Sequence, residues 1–408
     1  MRILIVTQYF WPESFRINDL ALGLRGRGHE VTVFTGKPNY PEGRFFPGYG
    51  FFGRTLEDYQ GVRVIRVPLI PRGAGGPLGL VLNFLSFALL GSLLAPFRCA
   101  GAFDAILVYE VSPVTVGLPA LVLKRIKRAP VLFWVQDLWP ETLSATGAVR
   151  ARWILQAVDR LVRFIYRHCN LILVQSQAFT PRVRAQGVAA DRIRYYPNSA
   201  EELYRPVAIE AQARERRLLP EGFRVMFAGN IGAAQDFETI LAAAEKLKNE
   251  HAIQWVVLGD GRMQSWVEQE ITRRDLRRTV HLLGRHPVES MPRFFALADV
   301  MLVTLKNEPI FALTIPAKLQ SYLACGRPVV AALDGEGANV IRESGAGVAV
   351  RAGDAAGLAQ AVLGLYRAPP TERAAMGERG RRYFEQQFER DLLLRRLEEW
   401  IRELAPER

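Results

Sequence analysis

The apolar residues of this chain occur in short, nearly uninterrupted runs, and each run is followed by a longer amphipathic segment. The runs are rich in β-branched residues and do not alternate with polar ones, a pattern typical of strands that are covered on both faces. A first series of six lies at 2–7, 29–35, 61–67, 104–110, 129–135 and 170–176. Strands of this kind predict a parallel sheet with helical crossover connections.

A second series of apolar runs follows in the other half of the chain, separated by helical patterns such as those at 237–250 and 316–325. The runs of this series lie at 223–229, 253–260, 279–284, 298–305, 327–333 and 347–350. Between the two series, the segment 198–222 is polar, highly charged and bracketed by prolines, as domain boundaries often are. The pattern therefore predicts two doubly wound α/β domains.

This division predicts three parts of the chain. They are an N-terminal domain at 1–203, a C-terminal domain at 204–385, and a helix at 386–408 that packs back on the N-terminal domain. Open parallel sheets bind ligands at the carboxyl ends of their strands. Two such sheets in tandem predict a ligand-binding cleft between the domains.

The composition adds an excess of positive charge to this picture. Of the 408 residues, 49% are apolar, and 53 lysines and arginines outnumber 41 acidic residues, which gives a formal charge of +12. Such an excess predicts an anionic partner, which could be nucleic acid, phosphate or a membrane. The three cysteines are far apart and the five histidines lack paired spacing, so we expect a reducing compartment, no disulfide scaffold and no metal.

One segment is apolar enough to involve a membrane. No charged residue occurs between Arg72 and Arg98, and the stretch 77–97 approaches the length that spans a bilayer. A single span would place the strands at 61–67 and 104–110 on opposite sides of the membrane, although both are expected in one sheet. A buried crossover and a segment lying in one leaflet both remain open, and the prolines and glycines of the segment predict a broken helix.

Glycine-containing turns follow three successive strands of the second series. They are Gly229-Asn230-Ile231-Gly232, Gly259-Asp260-Gly261 and Gly284-Arg285. Glycines let backbone amides approach a ligand, and helix N-termini favour anions, so a diphosphate could bind here. A plain strand-to-helix turn explains each one alone, but their clustering favours one binding crevice. Neither a GxGxxG fingerprint nor a Walker motif is present, which disfavours a dehydrogenase or a P-loop enzyme.

A lysine at the start of a predicted helix adds to this candidate site. Lys318 falls in the first turn of a helix that begins near Pro316, where a positive charge opposes the helix dipole. The placement costs stability unless an anion neutralises the lysine. A solvated surface lysine is the alternative interpretation.

Several longer segments, taken in their order along the chain, carry a family resemblance. They are QYFWPESFRINDLALGLRGRGHEVTVFTGKPNYP at 8–41, WVQDLWPE at 134–141, YYPNS at 195–199, GNIG at 229–232, the GDG turn and PAKLQSYLACGRPVV at 316–330. Together they resemble the GT-B glycosyltransferases of family 4, especially the bacterial transferases of capsule and O-antigen clusters, including fucosaminyltransferase-like members. The resemblance implies two Rossmann-like domains, a nucleotide sugar bound mainly by the C-terminal one, an acceptor bound by the N-terminal one, and retaining transfer without a metal.

The resemblance also implies roles for single residues that match the family's motifs. The residues implied to bind substrate are Gly229, Asn230 and Gly232 at the donor diphosphate, Gly259, Gly261, Leu283 and Arg285 at the base, Pro316, Lys318 and Leu319 at the distal phosphate and sugar, and Arg16, Asn18 and Ser321. Many relatives carry an arginine and a lysine at the first glycine turn, and this chain does not. Lys318, Arg285 and Arg16 are therefore the candidates for neutralising the leaving diphosphate, with Lys318 counted as catalytic.

Two carboxylates of the N-terminal domain are the candidates for the acceptor side. Asp137 and Glu141 follow the fifth strand, where they could position the acceptor hydroxyl or could instead cap and begin the next helix. Gln136 stands where relatives often carry a histidine. In a retaining front-face reaction the leaving phosphate can take the acceptor proton, so this replacement does not forbid the chemistry.

These observations give one leading hypothesis and two alternatives. The first is a retaining transferase that moves an N-acetylated or deoxy sugar from a UDP-sugar to a polyprenyl-diphosphate-linked oligosaccharide, peripherally bound to the anionic cytoplasmic face of the inner membrane. The basic run at 124–128 supports that location, since each cation near an anionic leaflet adds about 1 kcal/mol. The alternatives are a sugar-nucleotide epimerase and a non-enzymatic membrane- or nucleic-acid-binding module. Nucleic acid is disfavoured because no binding motif accompanies the charge.

Overall fold

A computed structural model describes residues 1–73, 76–145 and 151–404 of the chain. These residues form two compact units, each built around its own sheet. The first unit comprises Met1–Pro197 together with Leu393–Arg408, and the second comprises Asn198–Leu392.

The first unit contains an eight-stranded sheet whose strand order is β3-β4-β2-β1-β5-β6-β7-β8. Its strands are Arg2–Thr7 (β1), Glu30–Gly36 (β2), Leu56–Tyr59 (β3), Val62–Val67 (β4), Ala105–Glu110 (β5), Val131–Val135 (β6), Leu171–Val174 (β7) and Ile193–Tyr195 (β8). All pairings are parallel except the edge pair of β3 and β4. The almost completely buried central strands explain why their sequences are continuous apolar runs.

Helices cover this sheet and connect its strands. They are Arg16–Gly26 (α1), Pro77–Arg98 (α2), Gly117–Lys127 (α3), Glu141–Ala145 (α4), Arg152–His168 (α5) and Phe179–Ala185 (α6). The helix α2 is continuous, so the prediction of a broken helix is wrong. Pro77 begins the helix, where its missing N–H has no partner to lose, and Pro96 lies in its last turn.

The second unit contains a six-stranded parallel sheet whose order is β11-β10-β9-β12-β13-β14. Its strands are Phe223–Ala228 (β9), Ile253–Leu258 (β10), Val280–Leu282 (β11), Val300–Thr304 (β12), Val329–Ala332 (β13) and Gly347–Val350 (β14). Its helices are Arg214–Leu218 (α7), Phe237–Lys246 (α8), Gln264–Arg273 (α9), Met291–Ala296 (α10), Pro309–Ala312 (α11), Ala317–Ala324 (α12), Glu336–Ser344 (α13), Ala355–Arg367 (α14) and Pro370–Gln387 (α15). The two apolar clusters of this unit lie on opposite faces of the sheet.

The last helix, Arg390–Leu404 (α16), supplies part of the core of the first unit. Leu393, Leu394, Leu397 and Ile401 are buried in one cluster with β1 and α1. Glu398 of the same helix accepts hydrogen bonds at 2.7 Å from Arg27 and His29. The Arg27 hydrogen bond is the main reason that the pKa of Glu398 falls to about 2. Helix α16 therefore has a defined place in the core of the first unit.

Candidate active site

The glycine turns of the second unit end three neighbouring strands. Gly229 follows β9 and donates a hydrogen bond to the Leu258 carbonyl at 2.9 Å, while Gly259 follows β10 and donates to the Gly284 carbonyl at 2.8 Å. Gly229 and Gly259 have φ angles of +141° and +132°, which residues with side chains rarely adopt. A Cβ at Gly259 would also lie 2.0 Å from the Gly229 carbonyl oxygen. Glycine is therefore required for the close approach of these two turns.

The first glycine turn is tied to the strand on its other side. The residues Ala233–Gln235 form a short 3-10 turn, and the Lys306 amide donates a hydrogen bond to the Ala234 carbonyl at 2.9 Å. Asn230 is exposed, whereas Gly232 is buried. The buried side-chain oxygen of Gln235 has no hydrogen-bond partner within the described ranges of the chain. The turn thus presents an exposed amide side chain and a buried acceptor whose hydrogen-bonding capacity is not used.

Lys318 projects from the first turn of α12 toward this glycine turn. Its Nζ lies 3.6 Å from the centre of the Phe227 ring, and a Cβ placed on Gly229 would be 3.3 Å from it. The Nζ atom is shielded from solvent and has no hydrogen-bond partner in the described part of the chain, although the whole side chain is only half-buried. This burial lowers the pKa of Lys318 to about 7. An anion beside the ammonium would restore its charge, so the site is suited to a phosphate group.

Tyr322 fixes the position of Lys318, and the sequence analysis missed it. One turn farther along α12, the Tyr322 hydroxyl accepts a hydrogen bond from the Ala228 amide at 2.9 Å and donates one to the Ala228 carbonyl at 3.1 Å. Ala228 is the last residue of β9, immediately before Gly229. The two hydrogen bonds therefore hold α12 against the strand whose end carries the glycine turn. In the sequence, the signal for this role was that Tyr322 lies four residues, or one helical turn, after Lys318.

The other predicted donor-binding residues lie in different surroundings. Arg285 forms an exposed ion pair with Asp260 at 2.9 Å, so its charge is already partly compensated. Pro316 is the N-cap residue of α12, and Leu283 is half-buried after β11. Leu319 is completely buried in the core, so only its backbone is available to a ligand.

Ser321 also points away from solvent. It is buried, and its hydroxyl donates a long hydrogen bond of 3.4 Å to the Ala317 carbonyl one turn earlier. Leu313 directly follows the short helix α11 as its C-cap residue. Neither side chain offers a carboxylate, so hydroxyl groups of a donor would need other partners.

Asp137 in the first unit is held by a serine. It lies just beyond β6, and the Ser112 hydroxyl donates a hydrogen bond to its Oδ2 at 2.7 Å. Ser112 has a φ of +122°, a strained conformation of the kind often found at functional sites. Burial raises the pKa of Asp137 to about 6, and the Ser112 hydrogen bond opposes the rise. Asp137 precedes α4 by several residues, so it does not cap that helix.

A second carboxyl group, which the sequence analysis missed, lies behind Asp137. Glu110 ends β5 and is completely buried, and its Oε2 accepts a weak hydrogen bond of 3.4 Å from the Asp137 amide. Burial, and then the negative charge of Asp137, hold the pKa of Glu110 well above its ordinary value. An acidic residue at the end of an apolar strand was the signal. Glu141 begins α4, and its Oε2 is buried without a hydrogen-bond partner.

The loop after β1 is shaped by Asn18 and Glu13. Asn18 accepts a hydrogen bond from the Trp11 amide at 3.1 Å and donates one to the Glu13 carbonyl at 2.7 Å. The buried Glu13 carboxylate accepts hydrogen bonds at 2.8 Å from the backbone amides of Asn39 and Tyr40, which follow β2. Burial raises the pKa of Glu13 to about 7. These contacts give Asn18 a loop-shaping role.

Arg16 is the first residue of α1, which starts directly after the loop that Glu13 and Asn18 shape. Its side chain is half-buried. Arg16 belongs to the first unit and Lys318 to the second. No group of three metal-ligating side chains occurs within residues 1–73, 76–145 and 151–404.

Comparison with known proteins identifies the class of protein. Residues 14–199 match the family model "Glycosyl transferase 4-like domain", and residues 222–368 match "Glycosyl transferases group 1". Together the two models account for most of the chain. The fold and these matches define a glycosyltransferase of the GT-B fold. The chain belongs to family 4 of these enzymes, so the epimerase and the non-enzymatic module no longer stand as alternatives.

Named relatives and solved structures agree with this assignment. The Escherichia coli protein named as the colanic acid biosynthesis glycosyl transferase WcaI is 25% identical over 80% of this chain and 82% of its own length. The Pseudomonas aeruginosa protein named as the glycosyltransferase WbjE is 30% identical over 52% of this chain and 54% of its own. The crystal structure of HepE from Anabaena with UDP has a TM-score of 0.69 at 18% identity and covers 99% of this chain and 100% of HepE.

A further solved structure shares the fold over its full length. WaaG, described as a glycosyltransferase involved in lipopolysaccharide biosynthesis, has a TM-score of 0.67 at 14% identity, and the match covers 100% of both chains. At this level of identity the likeness establishes the fold.

Proposed function

We propose that this enzyme transfers a sugar from a UDP-sugar to a lipid-linked acceptor in polysaccharide biosynthesis, with retention of the anomeric configuration and without a metal. The observation that carries the proposal is the ammonium of Lys318, which lies beside the Gly229 turn and has no hydrogen-bond acceptor among residues 1–73, 76–145 and 151–404. Buried polar atoms without partners are uncommon, and a diphosphate would supply the missing acceptor. The names of the WcaI and WbjE relatives and of WaaG support the polysaccharide context.

UDP is the nucleotide that the comparisons favour. HepE has been solved with UDP and with UDP-glucose, and its fold matches this chain almost throughout. In this chain the backbone amides near Gly229, the start of α12 and the Lys318 side chain would neutralise the diphosphate. A metal ion would have little left to neutralise there, which is why we propose transfer without one.

The proposed reaction exchanges one bond for another. The bond between the anomeric carbon and the oxygen of the β-phosphate breaks, and a bond from that carbon to the acceptor oxygen forms on the same face. The acceptor proton moves to the leaving diphosphate oxygen, and UDP departs. Asp137, oriented by Ser112, would accept a hydrogen bond from the acceptor hydroxyl and align it for attack.

The outer face of α2 supports a lipid-bound acceptor and a membrane location. Large apolar side chains spaced by three or four residues form one exposed stripe, which consists of Leu78, Leu82, Leu85, Leu89, Leu93 and Phe97. Phe97 is 85% exposed and Leu78 is 71% exposed, although the opposite side of the helix packs on the sheet. The helix is long and apolar enough to cross a bilayer, which alone is weak support for a membrane role.

We propose an anionic bilayer as the partner of this stripe, with α2 lying in one leaflet. The helix packs against α3, whose last turn carries Lys124, Arg125 and Lys127. An apolar stripe beside cations matches the chemistry of anionic lipid headgroups over acyl chains. The net charge of +12 adds to the attraction. This proposal places the enzyme at the cytoplasmic face of the inner membrane.

The test is transfer of a radiolabelled sugar into a butanol-extractable lipid. Purified enzyme is mixed with membrane lipid extract and a panel of labelled UDP-sugars, with one arm containing EDTA. We expect label in the lipid from one UDP-sugar, unchanged by EDTA, and an α-linkage from an α-linked donor by NMR. Inversion at the anomeric carbon would refute retention, and dependence on added metal would refute the metal-free step. Transfer only to water or to a soluble sugar would refute the lipid acceptor.

A further inference from the structure

In the first unit, Arg72 is a further cation without an acidic partner among the described residues. Within the residues that the structure describes, no carboxylate approaches the Arg72 guanidinium within 4.0 Å. It lies instead against three aromatic rings, 5.6 Å from the centre of Tyr9, 5.1 Å from Tyr40 and 5.8 Å from Phe84. Contacts with aromatic rings do not occupy the N–H groups of a guanidinium as hydrogen bonds do, so these groups can bind oxygen atoms.

Two buried polar atoms of the loop after β1 have no partner among the described residues. They are the Tyr9 hydroxyl and the side-chain oxygen of the adjacent Gln8, both shielded from solvent. Both residues are at most 3% exposed. The Gln8 amide is oriented from its other end, because its Nε2 donates to Asn83 at 2.7 Å. The Tyr9 ring contacts Arg72 directly, and the Gln8 amide is linked to the Arg72 backbone through Asn83 and Asn39.

The elements that carry these groups place them where ligands bind in such folds. Tyr9 and Gln8 follow β1, Tyr40 lies in the loop after β2, and Arg72 lies in the loop after β4. These three strands are neighbours in the sheet, so their carboxyl ends meet at one edge. Asn39 joins the loops, since its side-chain oxygen accepts a hydrogen bond from the Arg72 amide at 3.1 Å.

The same cluster adjoins the apolar helix. Phe84, one of the three rings around Arg72, belongs to α2 and is buried, while the next residue, Leu85, is 54% exposed in the outer stripe. A cation with hydrogen-bonding groups therefore lies beside an apolar surface. A lipid phosphate has this combination of an anionic end and an apolar chain.

We propose that Arg72, Tyr9 and Gln8 form the subsite for the diphosphate end of the lipid-linked acceptor. The Arg72 guanidinium and the Tyr9 hydroxyl donate hydrogen bonds to phosphate oxygens, and the Gln8 oxygen accepts one from a hydroxyl of the attached sugar. The polyprenyl chain of the acceptor then runs toward the α2 stripe. This inference rests on the proposed function, because it assumes a lipid-linked acceptor.

The test measures ligand binding by calorimetry, independently of turnover, with farnesyl diphosphate in detergent as the probe. The variants are Arg72→Gln, Arg72→Lys and Tyr9→Phe, and the matched control is Arg44→Gln, which removes one exposed charge from the same unit. We expect Arg72→Gln to weaken farnesyl diphosphate binding about tenfold or more and Tyr9→Phe to weaken it about threefold to tenfold. Arg72→Lys should recover part of the loss, because it keeps the charge without the planar guanidinium. UDP binding should remain unchanged in all of them.

Further ligands separate the possible sources of the phosphate. Farnesol, which lacks the diphosphate, should bind equally to the wild type and Arg72→Gln, and glucose 1-phosphate should bind much more weakly than farnesyl diphosphate. Arg72-dependent binding of glucose 1-phosphate as tight as that of the lipid would overturn the lipid assignment. Equal farnesyl diphosphate affinities of Arg72→Gln and Arg44→Gln, with both variants folded by circular dichroism, would overturn the subsite.

Transfer assays distinguish failure of the proposed function from failure of the proposed subsite. If the wild type transfers label to a lipid and Arg72→Gln does so with unchanged KM for that acceptor, the subsite is wrong and the function stands. If the wild type transfers no label to any lipid, the function is wrong whatever the binding experiment shows.

Discussion

The ammonium of Lys318 lies 3.6 Å from the centre of the Phe227 ring and makes no hydrogen bond with any residue that the structure describes. The ring face offers a partial substitute for the water that the ammonium has lost. This substitute is weaker than an anion, so the site without its ligand carries an energetic cost. Functional sites commonly carry such costs, because a residue that binds the substrate need not be one that stabilises the folded protein.

Lys318→Met should therefore have opposite effects on binding and on stability. We expect the affinity for UDP to fall about tenfold or more, because a charge-assisted hydrogen bond is lost, and the Tm without ligand to rise. Calorimetry and thermal unfolding measure the two effects. Lys248→Met, which removes an exposed lysine of the same unit, should change neither. A lower Tm with unchanged UDP affinity would show that Lys318 serves the structure and not the donor.

The pKa of Lys318 gives a pH dependence with a definite sign. Burial lowers this pKa to about 7, against about 10.5 in an unfolded chain. Between these values the unfolded chain binds a proton that the folded protein lacks, so Lys318 makes the unliganded protein more stable as the pH rises from 7 toward 10.5. Below pH 7 the full penalty of the buried ammonium is present.

Donor binding should consequently take up a proton above pH 7. A diphosphate favours the charged lysine, so UDP affinity should fall as the pH rises beyond 7. Calorimetry at pH 8 in buffers of different ionisation enthalpy measures the uptake. Lys318→Arg keeps the charge at all these pH values and should abolish the uptake. An uptake that persists in Lys318→Arg would assign the proton to another group.

Tyr322→Phe should impair donor use through position alone. The substitution removes both hydrogen bonds to Ala228, so α12 loses its attachment to the end of β9. We expect a loss of about 1–3 kcal/mol in unfolding free energy and a higher KM for the donor. Tyr383→Phe, which removes a hydrogen bond to the exposed Glu343, is the control and should change both by much less. Equal effects of the two variants would contradict the proposed attachment.

Asp137→Asn and Ser112→Ala address the acceptor side. Asp137→Asn should lower kcat about 100-fold with little change in UDP affinity, since the carboxylate would contact only the acceptor hydroxyl. Removing Ser112 takes away the hydrogen bond that opposes the rise in the Asp137 pKa, so this pKa should climb above about 6. The acidic limb of the kcat profile should then move to higher pH. Asp191→Asn, an exposed acid of the same unit, should leave the profile in place.

The α2 stripe can be tested by its binding to vesicles, independently of turnover. Leu85→Glu combined with Leu89→Glu places two negative charges in the exposed stripe and should lower binding to vesicles containing phosphatidylglycerol about tenfold or more. Flotation assays measure this binding. Leu218→Glu, at an exposed leucine of the second unit, is the control. Unchanged flotation of the double variant, with a wild-type Tm, would remove the stripe from the membrane.

The sequence pattern predicted most of the strands because the inner strands of a parallel sheet are buried on both faces. It missed β3, whose sequence LEDY is polar and lies at an exposed antiparallel edge, and β8, which has only three residues. Both lie at sheet margins, where burial imposes no apolar run. Helix α2 was misjudged because its prolines were read without their positions in the helix.

The candidate site was predictable only where chain order and spatial order agree. Gly229, Gly259 and Gly284 follow strands that are consecutive in sequence and adjacent in the sheet, so their clustering could be expected. The contacts of Arg72 with Tyr9 and Tyr40 join loops that are far apart in sequence. The hydrophobic periodicity of the sequence does not predict such contacts, because they depend on how each loop folds.

The return of α16 to the first unit sets the order of events during synthesis. Leu393, Leu397 and Ile401 complete a core that otherwise consists of residues before 198. At typical translation rates of about 5–20 residues per second, the ribosome needs roughly 10–40 s to make the intervening segment 198–392. During that interval the nascent first unit exposes the groove that α16 later fills. Ribosome-bound chaperones therefore have a defined window in which to protect this enzyme, and a stop codon shortly before Leu393 would damage the half of the protein that was made first.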